Sequence, residues 1–303
     1  MITSLKQLLE EAKKGKPLTL AVAVAEDPAV LEAVFMAEDE GLAKPLLFGN
    51  KAAIEKFCEE GGFAGRDPEI VDAEDKPDAC NKAAAAVRDG KADLIMKGLV
   101  DTGVVMKAVL NRDNGLRTGK IISHSLLMEV AGFDRLFLVT DCAMNIAPDL
   151  EQKKGILENA VSVMHALGNS DPKVAALCAV EKVNPKMPCT LDAEQLTKWN
   201  QEGIITGCTV QGPLAVDNAV SEEAARHKGI SGPVAGKADI LLAPDIEAGN
   251  MMEKGMEYFA HAGKAGVLMG AKIPVALTSR ATAAKSKMFS IALGVLIARH
   301  FAG

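Results

Sequence analysis

Apolar positions along this chain follow two alternating rhythms. Continuous runs such as residues 18–24 (LTLAVAV) read as strands covered on both faces. Stretches with apolar residues three and four apart read as helices with one buried face. An opening helix, capped by Thr3 or Ser4, carries Leu5, Leu8, Leu9 and Ala12 on one side and ends at Gly15 and Pro17. Strands are then expected at 18–24, 45–48, 69–71 and 93–96, with helices at 28–40, 51–59, 76–89 and 104–111 between and after them. Strand and helix alternate four times, which predicts parallel strands joined by right-handed crossovers.

The second half continues the alternation. Strands are expected at 136–140, 174–180, 204–210, 239–243 and 273–277. Helices are expected at 151–167, 191–200 and 251–261, and after Thr282, a candidate N-cap, with Met288, Ile291, Ala292, Val295 and Leu296 in register. Residues 211–219 read as a turn into a polar helix, 221–236 as a Gly- and Ser-rich loop, and Gly263, Gly266 and Gly270 as a glycine-rich link.

At 303 residues the chain has room for two domains or one large α/β unit. With one Trp and one Tyr it offers no stacking platform for single-stranded nucleic acid, and its net charge of −6 disfavours polyanions. No apolar run reaches the roughly 18 residues of a membrane span, and the N-terminus has no signal-peptide core. A cytoplasmic location is expected. Cys58, Cys80, Cys142, Cys178, Cys189 and Cys208 form no CxxC and have no His at metal spacing, so free thiols and no metal site are expected.

Candidate chemistry gathers where expected strands end. Lys97-Gly98-Leu99-Val100-Asp101-Thr102-Gly103 leaves one strand and enters a helix, and ligands of open α/β sheets bind at that end of the strands. Thr278-Ser279-Arg280 repeats the pattern after 273–277; free helix N–H groups and an Arg fork there suit a phosphate. Arg117 and Lys120 lie on a basic turn that by composition is a solvated surface, and Asp245 has the look of a helix cap.

Taken in order, MKGLVDT, LRTGKIISH, GPLAVDNAVS, APDIEAGNMMEKG and LTSRA resemble the phosphate acyltransferases over nearly the whole chain. The resemblance is closer to the phosphate butyryltransferases than to the phosphate acetyltransferases. It implies a two-domain α/β/α architecture with mostly parallel sheets, similar to the isocitrate/isopropylmalate dehydrogenase-like fold. Residues 1–127 plus 273–303 would form a discontinuous first domain and 128–272 a second, with the active site in the cleft between them. The implied reaction moves a short acyl group, butyryl in preference to acetyl, reversibly between coenzyme A and inorganic phosphate. Coenzyme A thioester is then a substrate, no cofactor is tightly bound, and a homodimer or higher homo-oligomer is expected. By the same resemblance Ser279, Arg280 and Arg117 are catalytic, and Lys97, Gly98, Thr102, His124, Asp245, Gly249, Asn250 and Lys285 bind substrate.

The sequence departs from the family at one place. Relatives carry acidic or amide residues just after the Ser-Arg pair, one of which is proposed to take the thiol proton. Here Ala281-Thr282-Ala283-Ala284-Lys285 follows, without a carboxylate. Either Lys285, Arg280 and the helix N-terminus hold a thiolate electrostatically, or His124 or Asp245 accepts the proton. Two other readings are a protein that binds acyl-CoA without turning it over, and a dehydrogenase on the similar fold. The latter requires clustered Asp residues for a divalent metal and a recognisable nicotinamide loop, and no convincing GxGxxG follows a strand.

Overall fold

Residues 2–63, 65–277 and 283–303 are described in the computed structural model; Ser279, Arg280 and Thr282 lie outside them. Contacts divide the chain into two compact units. A terminal unit comprises Leu5–Lys120 and Ala265–Gly303, and a central unit comprises Ile121–Lys264 together with the N-terminal residues through Ser4.

The terminal unit opens with α1 (Leu5–Ala12), β1 (Leu18–Ala23), α2 (Pro28–Asp39), β2 (Ala43–Gly49), α3 (Lys51–Glu60), β3 (Glu69–Asp72), α4 (Lys76–Arg88), β4 (Leu94–Lys97) and α5 (Thr102–Val109). The central unit follows with β5 (Ser123–Glu129), β6 (Phe137–Thr140), α6 (Leu150–Ala166), β7 (Lys173–Leu177), α7 (Pro188–Gln201), β8 (Thr209–Leu214), α8 (Val216–Val220), α9 (Glu222–His227), β9 (Ile240–Leu242) and α10 (Ile246–Phe259). The chain returns through β10 (Gly263–Met269), β11 (Val275–Ala276) and α11 (Ala284–Ala302).

Terminal-unit strands lie in the order β3-β2-β1-β4-β11-β10. All pairs are parallel except β10 with β11. Leu20 to Ala23 of β1 are buried on both faces, as a continuous apolar run requires. Asp27 and Asp75 start α2 and α4, accepting from Val30 N at 2.9 Å and Asp78 N at 2.7 Å, with Pro in each first turn. The apolar α11 packs on α1, α2 and β4; a Cβ at its Gly294 would come within 2.9 Å of Leu94.

Central-unit strands lie in the order β5-β6-β9-β7-β8, parallel except β5 with β6. The inward faces of β5, β6, β7 and β9 meet in a core around Leu126, Phe137, Val139, Ala175 and Leu241. Asp149 and Gln152 form a reciprocal capping box that starts α6. The architecture is α/β with mostly parallel sheets. No helix among the described residues is long and apolar enough to cross a membrane.

Several expected elements shift. Residues 263–269, expected as a glycine-rich link, form the buried strand β10. The strand expected at 204–210 is instead β8 at Thr209–Leu214, so Gln211 to Leu214 belong to a strand and not a turn. Pro213 is tolerated there because β8 is an edge strand. Within the expected loop at 221–236, Ser221 caps the short helix α9, accepting from Ala224 N at 3.2 Å. Strand β5 was not expected at all. Helix α10 starts at Ile246, five residues earlier than its apolar spacing suggests. The six cysteines are free, five of them buried.

Candidate active site

In the terminal unit the chain steps outward from β1 to β2 and β3, then returns to place β4 on the other side of β1. That reversal makes the carboxyl ends of β1 and β4 a topological switch point, where open α/β sheets take ligands. Two segments meet there. One leaves β1 through Val24, Ala25 and Glu26 into the Asp27 cap of α2. The other leaves β4 through Lys97 to Asp101 into α5.

Their junction is tight. Val24 stands at φ +64°, a left-handed conformation that for a β-branched residue costs about 1–3 kcal/mol and concentrates at functional sites. Its carbonyl accepts from Leu99 N at 2.9 Å, while Gly98 N donates to Ala23 O at 2.9 Å. Gly98 has to be glycine for space alone, since a Cβ would lie 1.9 Å from the Val24 carbonyl oxygen. Lys97 is buried and its ammonium donates to the carbonyls of Val100 at 2.9 Å and Gly98 at 3.3 Å, bracing the loop from below. Thr102 then begins α5, with Asp101 extended at the cap position.

Glu26 shares this edge. Its Oε2 is buried without a hydrogen-bond partner, and a Cβ on Gly49, at the end of β2, would lie 1.9 Å from that oxygen. Burial, with Glu26 reinforcing it and Lys97 opposing it, pushes the Cys80 thiol on α4 up to about 11.

The register of β11 with β4 pairs Val275 with Ile95 and Ala276 with Met96, so Leu277 and Lys97 leave the sheet at one level. Leu277 leads in sequence to Ser279 and Arg280, which lie outside the described residues. Arg117 sits elsewhere in the unit. Its exposed loop is fastened to the turn between β10 and β11, at the opposite end of β11, by the Arg117–Ala271 bridge and by Lys272 N donating to Leu116 O at 2.9 Å. Thr118 Oγ1 also donates to Gly270 O. Lys285 is exposed on the first turn of α11, its ammonium 5.9 Å from the Phe289 ring centroid.

In the central unit, His124, Asp245, Gly249 and Asn250 come together around the loop that follows β6. Asp245 caps α10, Oδ1 accepting from Ala248 N at 2.8 Å. Gly249 lets that helix press on the loop, for a Cβ would lie 2.4 Å from Asp141 O. Asn250 Nδ2 donates to Cys142 O at 3.1 Å. Asp141, 3% exposed, accepts from Ala143 N, Met144 N and Asn145 Nδ2 at 2.8, 3.0 and 2.6 Å, and so shapes the turn. His124 is buried on β5 with Nδ1 3.1 Å from Cys142 Sγ. Burial, only partly opposed by Asp141 and Glu253, pushes its pKa below the ordinary histidine value, so the ring is neutral. Burial likewise raises the Cys142 thiol well above its ordinary range, which makes it a hydrogen-bond partner and not a thiolate nucleophile.

Helix α10 is held by an ion cluster whose central pair, Glu253 and Lys264, is buried. Lys264 Nζ bridges Glu253 at 2.8 Å and Glu257 at 2.6 Å, and Lys254 contacts the same two carboxylates at 3.2 and 2.9 Å. Among the described residues no group of three or more His, Cys, Asp or Glu side chains is arranged to hold a metal ion.

Sequence reasoning passed over Glu26, Asp141, Glu253 and Lys264. For Glu26 the signal was present, since it stands between an apolar strand and an Asp-Pro helix start, as KGLVDT stands between β4 and α5. Asp141 acts on the turn that follows it, and Glu253 and Lys264 pair across the link from α10 to β10, neither of which a sequence motif marks.

Comparison with known proteins gives a consistent result. A family model described as Phosphate acetyl/butaryl transferase matches residues 55–295. The phosphate butyryltransferase of Clostridium acetobutylicum is 48% identical over 98% of this chain and 99% of its own length. The phosphate acetyltransferase of Thermotoga maritima is 46% identical over 97% of this chain and 99% of its own. Among solved structures, a branched-chain phosphotransacylase from Enterococcus faecalis V583 superposes with a TM-score of 0.80 at 33% identity, covering 93% of this chain and 99% of that one. On a match of this breadth, the chain belongs to the phosphate acetyl/butyryl transferase family.

Proposed function

We propose that the protein catalyses reversible transfer of a short acyl group, butyryl in preference, between coenzyme A and inorganic phosphate. The observation that carries this reading is the 48% identity to a phosphate butyryltransferase across almost the full length of both chains. Phosphate attacks the thioester carbonyl, the C–O bond forms as the C–S bond breaks, and acyl phosphate and coenzyme A are released. A tetrahedral oxyanion forms beside a second anion, so fixed donors and cations supply much of the rate.

On the motif match, Ser279 hydrogen-bonds the reacting carbonyl or phosphate, and Arg280 and Arg117 neutralise the anions. Lys97, Gly98, Thr102, His124, Asp245, Gly249, Asn250 and Lys285 are assigned to substrate binding. The terminal-unit geometry supports part of this, because the loop bearing Lys97, Gly98 and Thr102 occupies the switch point. The protein acts in the cytoplasm as a homo-oligomer and uses its thioester as substrate, with no tightly bound cofactor. Acetyl is the second acyl group considered, favoured by the 46% identity to a phosphate acetyltransferase.

Thiol release from acetyl-, butyryl- and longer acyl-CoA, with and without phosphate, tests the reading. Phosphate-dependent release that peaks at butyryl, and is lost in a folded S279A/R280A variant, is expected. Release without phosphate dependence, or equal release by the variant, would refute it.

A further inference from the structure

A second kind of chemistry lies in the central unit, on the face of the sheet that α7 covers. Of the six free cysteines only Cys189 is half-buried, and it stands on the first turn of α7. Cys178 directly follows β7 and continues its ladder, its N–H donating to Leu214 O at 2.8 Å. The two side chains are hydrogen-bonding neighbours, thiol to thiol.

Backbone geometry accounts for the meeting. β7 and β8 are parallel, so the intervening α7 runs antiparallel to both. Gly212 on β8 marks where the helix touches the sheet, since a Cβ there would lie 2.7 Å from the Ala176 Cβ and 3.0 Å from the Ala193 Cβ. Ala193 therefore packs beside Ala176. One helical turn back from Ala193 is Cys189, a step of about 6 Å. Two residues forward from Ala176 is Cys178, on the same face and about 6.6 Å along in the same direction. The matched steps set one sulfur against the other.

The two thiols are unequal. Cys189 borders a cleft with Lys153, Asp192 and Pro244 and, being half-buried, is the thiol that a solute meets first. Cys178 is 7% exposed, and burial, reinforced by Cys189, raises its thiol above the ordinary range, so it stays protonated. A reachable thiol backed by a buried one has the arrangement of a redox-sensing cysteine and its resolving partner.

We propose that Cys189 and Cys178 are a hydroperoxide-sensitive dithiol, in which Cys189 reacts first and Cys178 resolves it into an intrachain disulfide. The Cys189 sulfur attacks the peroxide, an S–O bond forms as the O–O bond breaks, and the thiol proton leaves on the departing alcohol. The Cys178 sulfur then attacks the Cys189 sulfur. The S–S bond forms, the S–O bond breaks, and hydroxide departs with the Cys178 proton as water. The pair has lost two electrons and two protons, and the peroxide has gained them. A dithiol reductant reverses the bond by exchange. Thiols already in contact are bridged with little backbone movement, and in a reducing compartment such a bond is transient. It ties the start of α7 to the end of β7 and encloses Glu181, whose carboxylate accepts from Asn218 Nδ2 at 2.7 Å. This chemistry is independent of the acyl-transfer reading.

The test treats the reduced full-length protein with hydrogen peroxide, alkylates it under denaturing conditions and maps its thiols by peptide mass spectrometry. Wild type is expected to lose two of its six thiols, to yield joined Cys178 and Cys189 peptides from a chain that stays single on a non-reducing gel, and to regain both thiols with dithiothreitol. In Cys178→Ala, Cys189 should be trapped by dimedone as the sulfenic acid and pass to the sulfinic acid with more peroxide, while wild type gives neither. In Cys189→Ser, Cys178 should keep its thiol at the same dose. Six intact thiols in wild type after excess peroxide, a bridge to any other cysteine, or equal loss of Cys178 in C189S overturns the proposal. The bridge is mapped on wild type, so a variant that fails to fold leaves the decision standing.

Discussion

The motif KGLVDTG contains two glycines for which the structure predicts opposite outcomes. At Gly98 the backbone is one that any residue adopts, and space is the only constraint. An added Cβ would stand 1.9 Å from Val24 O, 2.7 Å from Val24 C and 2.8 Å from Ala23 O, all backbone atoms. Real Cβ contacts do not fall below 3.0 Å, so Gly98→Ala has to part the two segments by about 1.1 Å. That separation strains the bonds from Gly98 N to Ala23 O and from Leu99 N to Val24 O, worth about 1 kcal/mol each. Overpacking adds about 1–3 kcal/mol, for a total of about 3–5 kcal/mol. At 2–4 °C per kcal/mol, Tm should fall by roughly 6–20 °C. A loop moved by about 1 Å should also reduce kcat about 100-fold. At Gly103, the second residue of α5, an added Cβ would meet nothing within 4 Å, and Gly103→Ala should raise stability by about 0.5–1 kcal/mol through helix propensity. Thermal melts of both variants, with thiol-release kinetics of G98A, decide the matter. A G98A protein with wild-type Tm and kcat would refute the steric argument.

Two further outcomes follow from the central unit. Lys264→Met leaves Glu253 and Glu257 of α10 with Lys254 as their remaining ion-pair partner among the described residues, which should cost about 3–5 kcal/mol. The triple variant E253Q/E257Q/K264M should recover more than half of that loss in denaturant titration; no recovery would show that the charges are not the cause. His124 governs acid stability. Its folded pKa lies below the unfolded value near about 6.5, so below that pH the unfolded chain takes up a proton that the folded protein refuses. Stability is therefore full above about pH 6.5 and declines beneath it, by at most about 1.4 kcal/mol per pH unit, until the folded pKa is reached. Urea titrations between about pH 5 and 7 should show this slope in wild type and a shallower one in H124N; equal slopes would remove His124 as the cause.

How far the sequence could be read depends on whether local pattern or distant partners decide each element. β1, β2, β4 and β6 were legible because their apolar runs are buried on both faces whatever their neighbours. β10 was not, since Gly263 and Gly266 weaken a strand locally; Gly266 holds its place through N–H donation to Ser290 Oγ on α11 at 2.9 Å, a contact that no window of sequence contains. β5 begins Ser123-His124-Ser125, polar residues that are nonetheless buried, so its alternation was hidden. β8 carries Gly212 and Pro213, turn residues that only an edge position permits.

The candidate site divides in the same way. KGLVDT and APDIEAGN stand out because each marks a strand end entering a helix, and Gly98 and Gly249 both prove to be places where backbone meets backbone. Spacing alone cannot reveal a buried atom that lacks a partner. Glu26 looks like any acidic residue ahead of a helix until Gly49, Val24 and the absent donor are seen together. Motifs report how the chain approaches a ligand, because turn geometry is written in consecutive residues. Unsatisfied chemistry is set by residues far apart in sequence, and only the folded structure brings them together.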